Sequence, residues 1–202
     1  MKIIGLTGPS GSGKGALCAL LSEHKIPSVD ADRVYHQLLV PPSSCLDALH
    51  KRFGDKILKD DGTLDRAALA KIVFAPGSQR ELSDLNRITH KFVVEKINDI
   101  IADFNKKGVA AAVIDAPALI EAEIDKNCDI VVSVVADKDV RVKRIIERDG
   151  LSEEAALARI NAQKPEAFYR EHSDVVICNN GDMLALKKEA EKIAEYAKEK
   201  NN

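Results

Sequence analysis

The segment Gly8-Pro9-Ser10-Gly11-Ser12-Gly13-Lys14 fits the pattern G-x-x-x-x-G-K and sits between an apolar run, Ile3-Ile4-Gly5-Leu6, and an amphipathic stretch, Ala16 to His24. A strand running into a glycine-rich turn and then a helix is the context in which this pattern makes a phosphate cradle. Glycines let successive N–H groups turn inward, the helix start adds its positive end, and Lys14 supplies a mobile charge for the outer phosphates of a nucleotide. The bland alternative is a glycine-rich turn with a surface lysine, which the strand and helix on either side disfavour. Gly15 and Ala16 follow the lysine, where such loops ordinarily offer a Ser or Thr hydroxyl to Mg²⁺.

Further strand-length apolar runs occur at Ile26 to Val29, Val109 to Ile114, Ile130 to Val135 and Val175 to Ile177, with amphipathic segments between them. This alternation predicts an α/β fold: a five-stranded parallel sheet flanked by helices, of the P-loop NTPase kind. From about Tyr35 to Lys107 the rhythm breaks. There Leu82, Leu85, Ile88, Phe92, Ile97, Ile100, Ile101 and Phe104 form the stripe of one long helix. The expectation is one domain over residues 1–202. Its core is 1–34, 108–137 and 173–202, with a helical acceptor-binding insertion at about 35–107 and a lid at about 138–172. Pro41-Pro42-Ser43-Ser44 marks a loop, and Met183 to Lys200 reads as a charged surface helix.

Asp30 and Asp32 follow the second strand. If the chain is extended there, a spacing of two puts both carboxylates on one face, where one can take a proton from an attacking hydroxyl while the other orients it. Alternatively, Asp32 caps a helix starting at Arg33. Asp115 ends the third strand and either holds Mg²⁺ through water or caps a turn before Pro117. Arg141, Arg144 and Arg148 are three and four residues apart, so one helical face presents them all, and arginines there can offset phosphoryl charge.

The net charge of −2 gives no global attraction for nucleic acid or a membrane surface, so an anionic ligand needs a local basic site. No run approaches the ~20 apolar residues of a membrane span, and the first apolar run is too short for a signal peptide. Cys18, Cys45, Cys128 and Cys178 are scattered without zinc-ligand spacing, as expected for reduced thiols in the cytoplasm.

With these motifs placed, the chain resembles dephospho-CoA kinases over nearly its full length. The resemblance rests on Gly5-Leu6-Thr7-Gly8 with the loop to Lys14, on Val29-Asp30-Ala31-Asp32, and on Gly62-Thr63-Leu64-Asp65-Arg66. It continues in Ile88-Thr89-His90, Asp115-Ala116-Pro117, Arg144 and Arg148-Asp149, Arg159-Ile160 with Gln163, and Asp174 to Ile177 followed by Asn180-Gly181. It implies transfer of the ATP γ-phosphoryl group to the ribose 3′-hydroxyl of dephospho-CoA, with Mg²⁺ as cofactor and Asp32 as general base. It implies that Thr7, Gly8, Gly11, Ser12, Gly13, Lys14, Gly15, Ala16 and Asn180 bind ATP. Arg144 and Arg148 serve the lid, and Asp30, Asp32, Arg66 and His90 receive the acceptor. Besides Gly15-Ala16, the chain departs from the family at Lys91 and at Ala118-Leu119-Ile120. The alternatives are another nucleotide or nucleoside kinase on the same scaffold, or a nucleotide-binding regulator that has lost transfer chemistry.

Overall fold

The computed structural model describes residues 1–199 of the chain. The first elements are β1 (Lys2–Thr7), α1 (Lys14–Glu23) and β2 (Ser28–Asp30). A helical run follows: α2 (Ala31–Leu38), α3 (Ser44–Phe53), α4 (Arg66–Val73) and α5 (Gln79–Lys106). The β–α alternation then resumes with β3 (Ala111–Asp115), β4 (Ile130–Val135), α6 (Lys138–Asp149), α7 (Glu153–Asn161), α8 (Glu166–Glu171), β5 (Val175–Cys178) and α9 (Met183–Lys198).

The five strands form one parallel sheet in the order β2-β3-β1-β4-β5, as the sequence predicts. β1 lies at its centre, with Leu6 opposite Asp115 of β3 and Thr7 opposite Ser133 of β4. Strands covered on both faces read as continuous apolar runs, and β4 accordingly buries every residue after Ile130. On one face, alternate residues Ile4 and Leu6, Val132 and Val134 meet Leu17 and Leu21 of α1 and Leu186, Ala190 and Ile193 of α9. Each such aliphatic side chain contributes roughly 1.5–3 kcal/mol by leaving water. The C-terminal helix therefore carries a core face as well as a charged one. Lys200 lies outside the described residues.

Two departures are local. β2 begins at Ser28, two residues later than the apolar run, because Pro27 has no N–H to give and contributes only its carbonyl, which accepts from Val113 N at 2.8 Å. The stripe on α5 is real, but its most buried side chains include Val93 and Thr89, which fall between the positions read from the sequence.

The chain divides into two compact units, residues 1–29 with 101–202, and residues 30–100. The second has its own core, built from Leu46 and Leu49 of α3, Leu69 and Val73 of α4, and the half-buried Leu82, Leu85, Ile88 and Phe92 of α5. Within it Arg52 of α3 donates to Asp84 of α5 at 2.7 Å.

Candidate active site

The loop from Gly8 to Lys14 joins β1 to α1, and all three of its glycines have positive φ and neighbours under 3.0 Å from a Cβ, two of them most tightly. Gly8 has φ +139°, and a Cβ there would lie 2.1 Å from Val134 O. Gly13 has φ +104°, and a Cβ there would lie 2.1 Å from Asn179 Nδ2. These left-handed conformations, closely walled by neighbours, exclude any side chain. Side chains cap the N-termini of α2, α3, α4, α7 and α9, whereas α1, like α6 and α8, has no side-chain cap, and α1 alone of these three follows a glycine, Gly13. An uncapped helix start behind a glycine loop is a phosphate-binding terminus. Lys14 Nζ donates to Gly8 O at 2.8 Å, curling over its own loop.

The three arginines share one face of α6, as their spacing predicts, and all three reach the loop. Arg141 and Arg144 meet its carbonyls, and Arg148 meets the Ser10 hydroxyl. Arg141 Nε donates to Ser10 O at 2.9 Å, and Arg144 Nη1 donates to Gly11 O and Ser12 O at 3.2 Å each and to Asn179 O at 2.9 Å. Asn179 Nδ2 also donates to Ser12 O, at 2.8 Å. Arg148 Nη2 reaches Ser10 Oγ at 3.4 Å, while its Nε and Nη2 grip Asp149, which Arg159 also binds. Hydrogen bonds from these two arginines hold the Asp149 carboxyl down to about 2. Carbonyls bound by side chains at three consecutive residues, with Ser10 N given to Gln163 and Ser12 N to Pro9 O, leave the N–H groups of Gly11 and Gly13 to face a ligand. Ser12 is fully buried, and its Oγ has no hydrogen-bond partner among the described residues.

Asp115 ends β3, and Cys18 Sγ donates to its Oδ2 at 3.8 Å. Burial, and then the Asp115 charge, push the Cys18 thiol up to about 12, while Lys14 acts in the opposite sense. Cys18 therefore registers both the loop lysine and the strand-end carboxylate. Thr7 Oγ1 is committed to Pro117 O at 3.2 Å. Asn180 Oδ1 accepts from Asp137 N at 2.8 Å and so ties the start of α6. A Cβ on Gly15 would meet nothing within 4 Å, so the absence of a hydroxyl there is a matter of residue choice and not of space. No group of three or more His, Cys, Asp or Glu side chains that could hold a metal occurs among the described residues. One carboxylate beside a phosphate loop suits a Mg²⁺ ion carried in on nucleotide phosphates and keeping most of its waters, and it does not suit an all-protein cage.

In the unit of residues 30–100, the Asp30-Ala31-Asp32 triplet is not extended. β2 ends at Asp30 and α2 begins at Ala31, so the two carboxylates do not share a strand face. The cap is Asp30, whose Oδ1 accepts from Arg33 N, and the exposed Asp32 lies in the first helical turn. Arg66 opens α4 behind its cap Asp65, so Asp65 is committed to the Ala68 N–H. The Arg66 charge lies close enough to Tyr35 to pull its hydroxyl down against the larger upward effect of burial. His90 lies on α5, next to the buried Thr89.

A family model described as dephospho-CoA kinase matches residues 2–185. The chain belongs to the dephospho-CoA kinase family. It is 40% identical over 190 residues to the dephospho-CoA kinase of Corynebacterium glutamicum, covering 94% of each chain. Among solved structures, a Thermus thermophilus protein superposes with a TM-score of 0.81 at 29% identity over 98% of both chains. The dephospho-CoA kinase of Campylobacter jejuni superposes with a TM-score of 0.68 at 26% identity over 96% of both.

For a dephospho-CoA kinase family member, two residues beside the loop escaped the sequence reading as site residues. Asn179, buried at the end of β5, touches the loop, whereas its neighbour Asn180 turns to Asp137. Gln163, between α7 and α8, accepts from Ser10 N. For Asn179 the signal was present, since it directly follows a strand at the sheet edge where ligands gather. Gln163 stands among the residues that carry the family resemblance, but nothing in its spacing or in composition points to the loop.

Proposed function

We propose that this chain transfers the γ-phosphoryl group of ATP to the ribose 3′-hydroxyl of dephospho-CoA, giving coenzyme A and ADP, the last step of coenzyme A biosynthesis. The observation that carries it is the uncapped start of α1 behind a loop whose carbonyls are tied outward, in a chain of this family. The turn N–H groups and Lys14 hold the ATP phosphates and follow the charge of the group in flight. Asp32 accepts the 3′-hydroxyl proton as the oxygen attacks phosphorus and the bond to the β-phosphate oxygen breaks. Asp30 keeps the turn that presents Asp32, and Arg66 and His90 receive the acceptor. Arg144 and Arg148 hold the loop's outer side. Mg²⁺ bound with the nucleotide, and met by Asp115 through water, would add positive charge at the phosphates.

No described helix is long and apolar enough to cross a membrane, and all four cysteines are free thiols. Free thiols suit the reducing cytoplasm, where we place a small-molecule enzyme whose net charge of −2 gives no general attraction for nucleic acid or a membrane surface. The deciding experiment is ADP release from ATP and Mg²⁺ with dephospho-CoA, beside a no-acceptor control and Lys14→Ala. Acceptor-dependent release that the variant loses is the expected result. Release only with CMP, UMP or AMP would assign another nucleotide kinase, and ATP binding without turnover on any acceptor would assign a regulator.

A further inference from the structure

Ser10 is the one loop residue whose backbone N–H and C=O are both bound by side chains from residues 138–172. Gln163 Oε1 accepts from Ser10 N at 3.0 Å and from Arg141 Nη2 at 2.8 Å, while Arg141 Nε donates to Ser10 O at 2.9 Å. The three groups close a ring: amide to Gln163, Gln163 to Arg141, Arg141 back to the carbonyl of the same residue. Arg141 is only 8% exposed, although it is charged, and in this ring its guanidinium rests on neutral oxygens. The backbone of Arg141 is also pressed against the loop, since a Cβ on Gly11 would lie 2.8 Å from Arg141 O. α6 is thus fixed to the turn by main chain and side chain together.

We propose that Gln163 is a positioning residue for ATP: by accepting from the Ser10 amide and Arg141 at once, it fixes the orientation of the two peptide units that flank Ser10, one through its N–H and the other through its C=O, before the nucleotide arrives. A peptide unit at Ser10 that rotates carries the following N–H groups of the turn out of register with the phosphates, and pre-setting it removes that cost from binding. Only the acceptor oxygen of Gln163 takes part, so its amide nitrogen is dispensable. A carboxylate at this position keeps both hydrogen bonds and strengthens the one to Arg141. This inference deepens the ATP-binding part of the proposed function and does not depend on which acceptor is phosphorylated.

The test uses the full chain, nucleotide-free, with amide hydrogen exchange at Ser10 and ATP binding by calorimetry. The Ser10 amide is expected to be protected in the wild-type chain, to lose protection in Gln163→Met, and to retain it in Gln163→Glu at neutral pH. ATP affinity should fall about tenfold in the Met variant, as for one charge-linked hydrogen bond, and stay near wild type in the Glu variant. The KM for dephospho-CoA should be unchanged in both, whereas a merely structural role would move both substrates together with the melting temperature. A freely exchanging wild-type Ser10 amide, wild-type ATP affinity in Gln163→Met, or equal losses in Met and Glu variants would each overturn the assignment. Should the Met variant not fold, the wild-type exchange and the Glu variant still decide it. If the wild-type chain leaves dephospho-CoA untouched, the proposed reaction fails while the ATP measurements stand.

Discussion

Asp30 Oδ1 accepts a hydrogen bond from the backbone N–H of Arg33 at 2.9 Å, so the first carboxylate of the Asp30-Ala31-Asp32 triplet caps α2 and the second does not. We expect the two acids, with one residue between them, to separate into a structural and a chemical role. Asp30→Ala should cost about 1 kcal/mol of stability, seen in thermal melts. Asp32→Asn should melt like the parent and bind ATP normally while turnover drops at least about a hundredfold. Near-normal turnover in that variant would remove Asp32 from the chemistry.

The loop glycines should separate as sharply. Gly8→Ala and Gly13→Ala each place a methyl 2.1 Å from a neighbouring atom on a left-handed backbone, and both should abolish ATP binding. Gly15 is helical and faces open space, so Gly15→Ala should be tolerated and gain up to about 1 kcal/mol. Gly15→Ser returns a hydroxyl to the position where Mg²⁺ is usually met, and it should lower the Mg²⁺ concentration giving half-maximal rate. An unchanged Mg²⁺ dependence would place the ion away from residue 15.

Arg144 and Asn179 both donate to Ser12 O. Arg144→Ala and Asn179→Ala should each weaken ATP binding, by roughly three- to thirtyfold for the loss of hydrogen bonds of this kind. Because they share one acceptor, the double variant should lose less than the sum of the two. Strict additivity in calorimetric titrations would show that the bonds act independently.

The thiols give a pH prediction. Burial raises Cys45 to about 11, and Cys18 and Cys128 to about 12, from an ordinary value of 9.0. At pH 8 all three should resist alkylation in the native chain while the exposed Cys178 reacts first. Above pH 9 the unfolded chain ionises its thiols while the folded chain keeps these three protonated. The folded state then holds more protons, so stability should fall as pH rises from about 9 toward 12. Alanine at Cys45, which lies in the core of the unit of residues 30–100, should flatten part of that slope.

The phosphate loop, the five strands and the α6 arginine face were legible because each follows from local period or spacing. β4 occupies Ile130–Val135, the run read from the sequence. What was not legible is the direction in which side chains at the loop point. Arg144 could as well face a phosphate as the back of the loop, and only the position of α6 beside Gly11 and Ser12 decides that its guanidinium meets carbonyls. Asn179 and Asn180 are equally polar and adjacent, and a single backbone step after β5 sends one to Ser12 and the other to Asp137. Asp32 was misplaced because the helix starts two residues earlier than its residue pattern suggested, with Asp30 supplying the cap.

β1 has a parallel neighbour on each side, and the loop that meets the nucleotide grows directly from its last residue. Opening that loop at its root means unzipping the innermost strand, an event that only global unfolding reaches. ATP capture should therefore persist on heating until the whole sheet melts, with loss of binding and loss of fold arriving at one temperature.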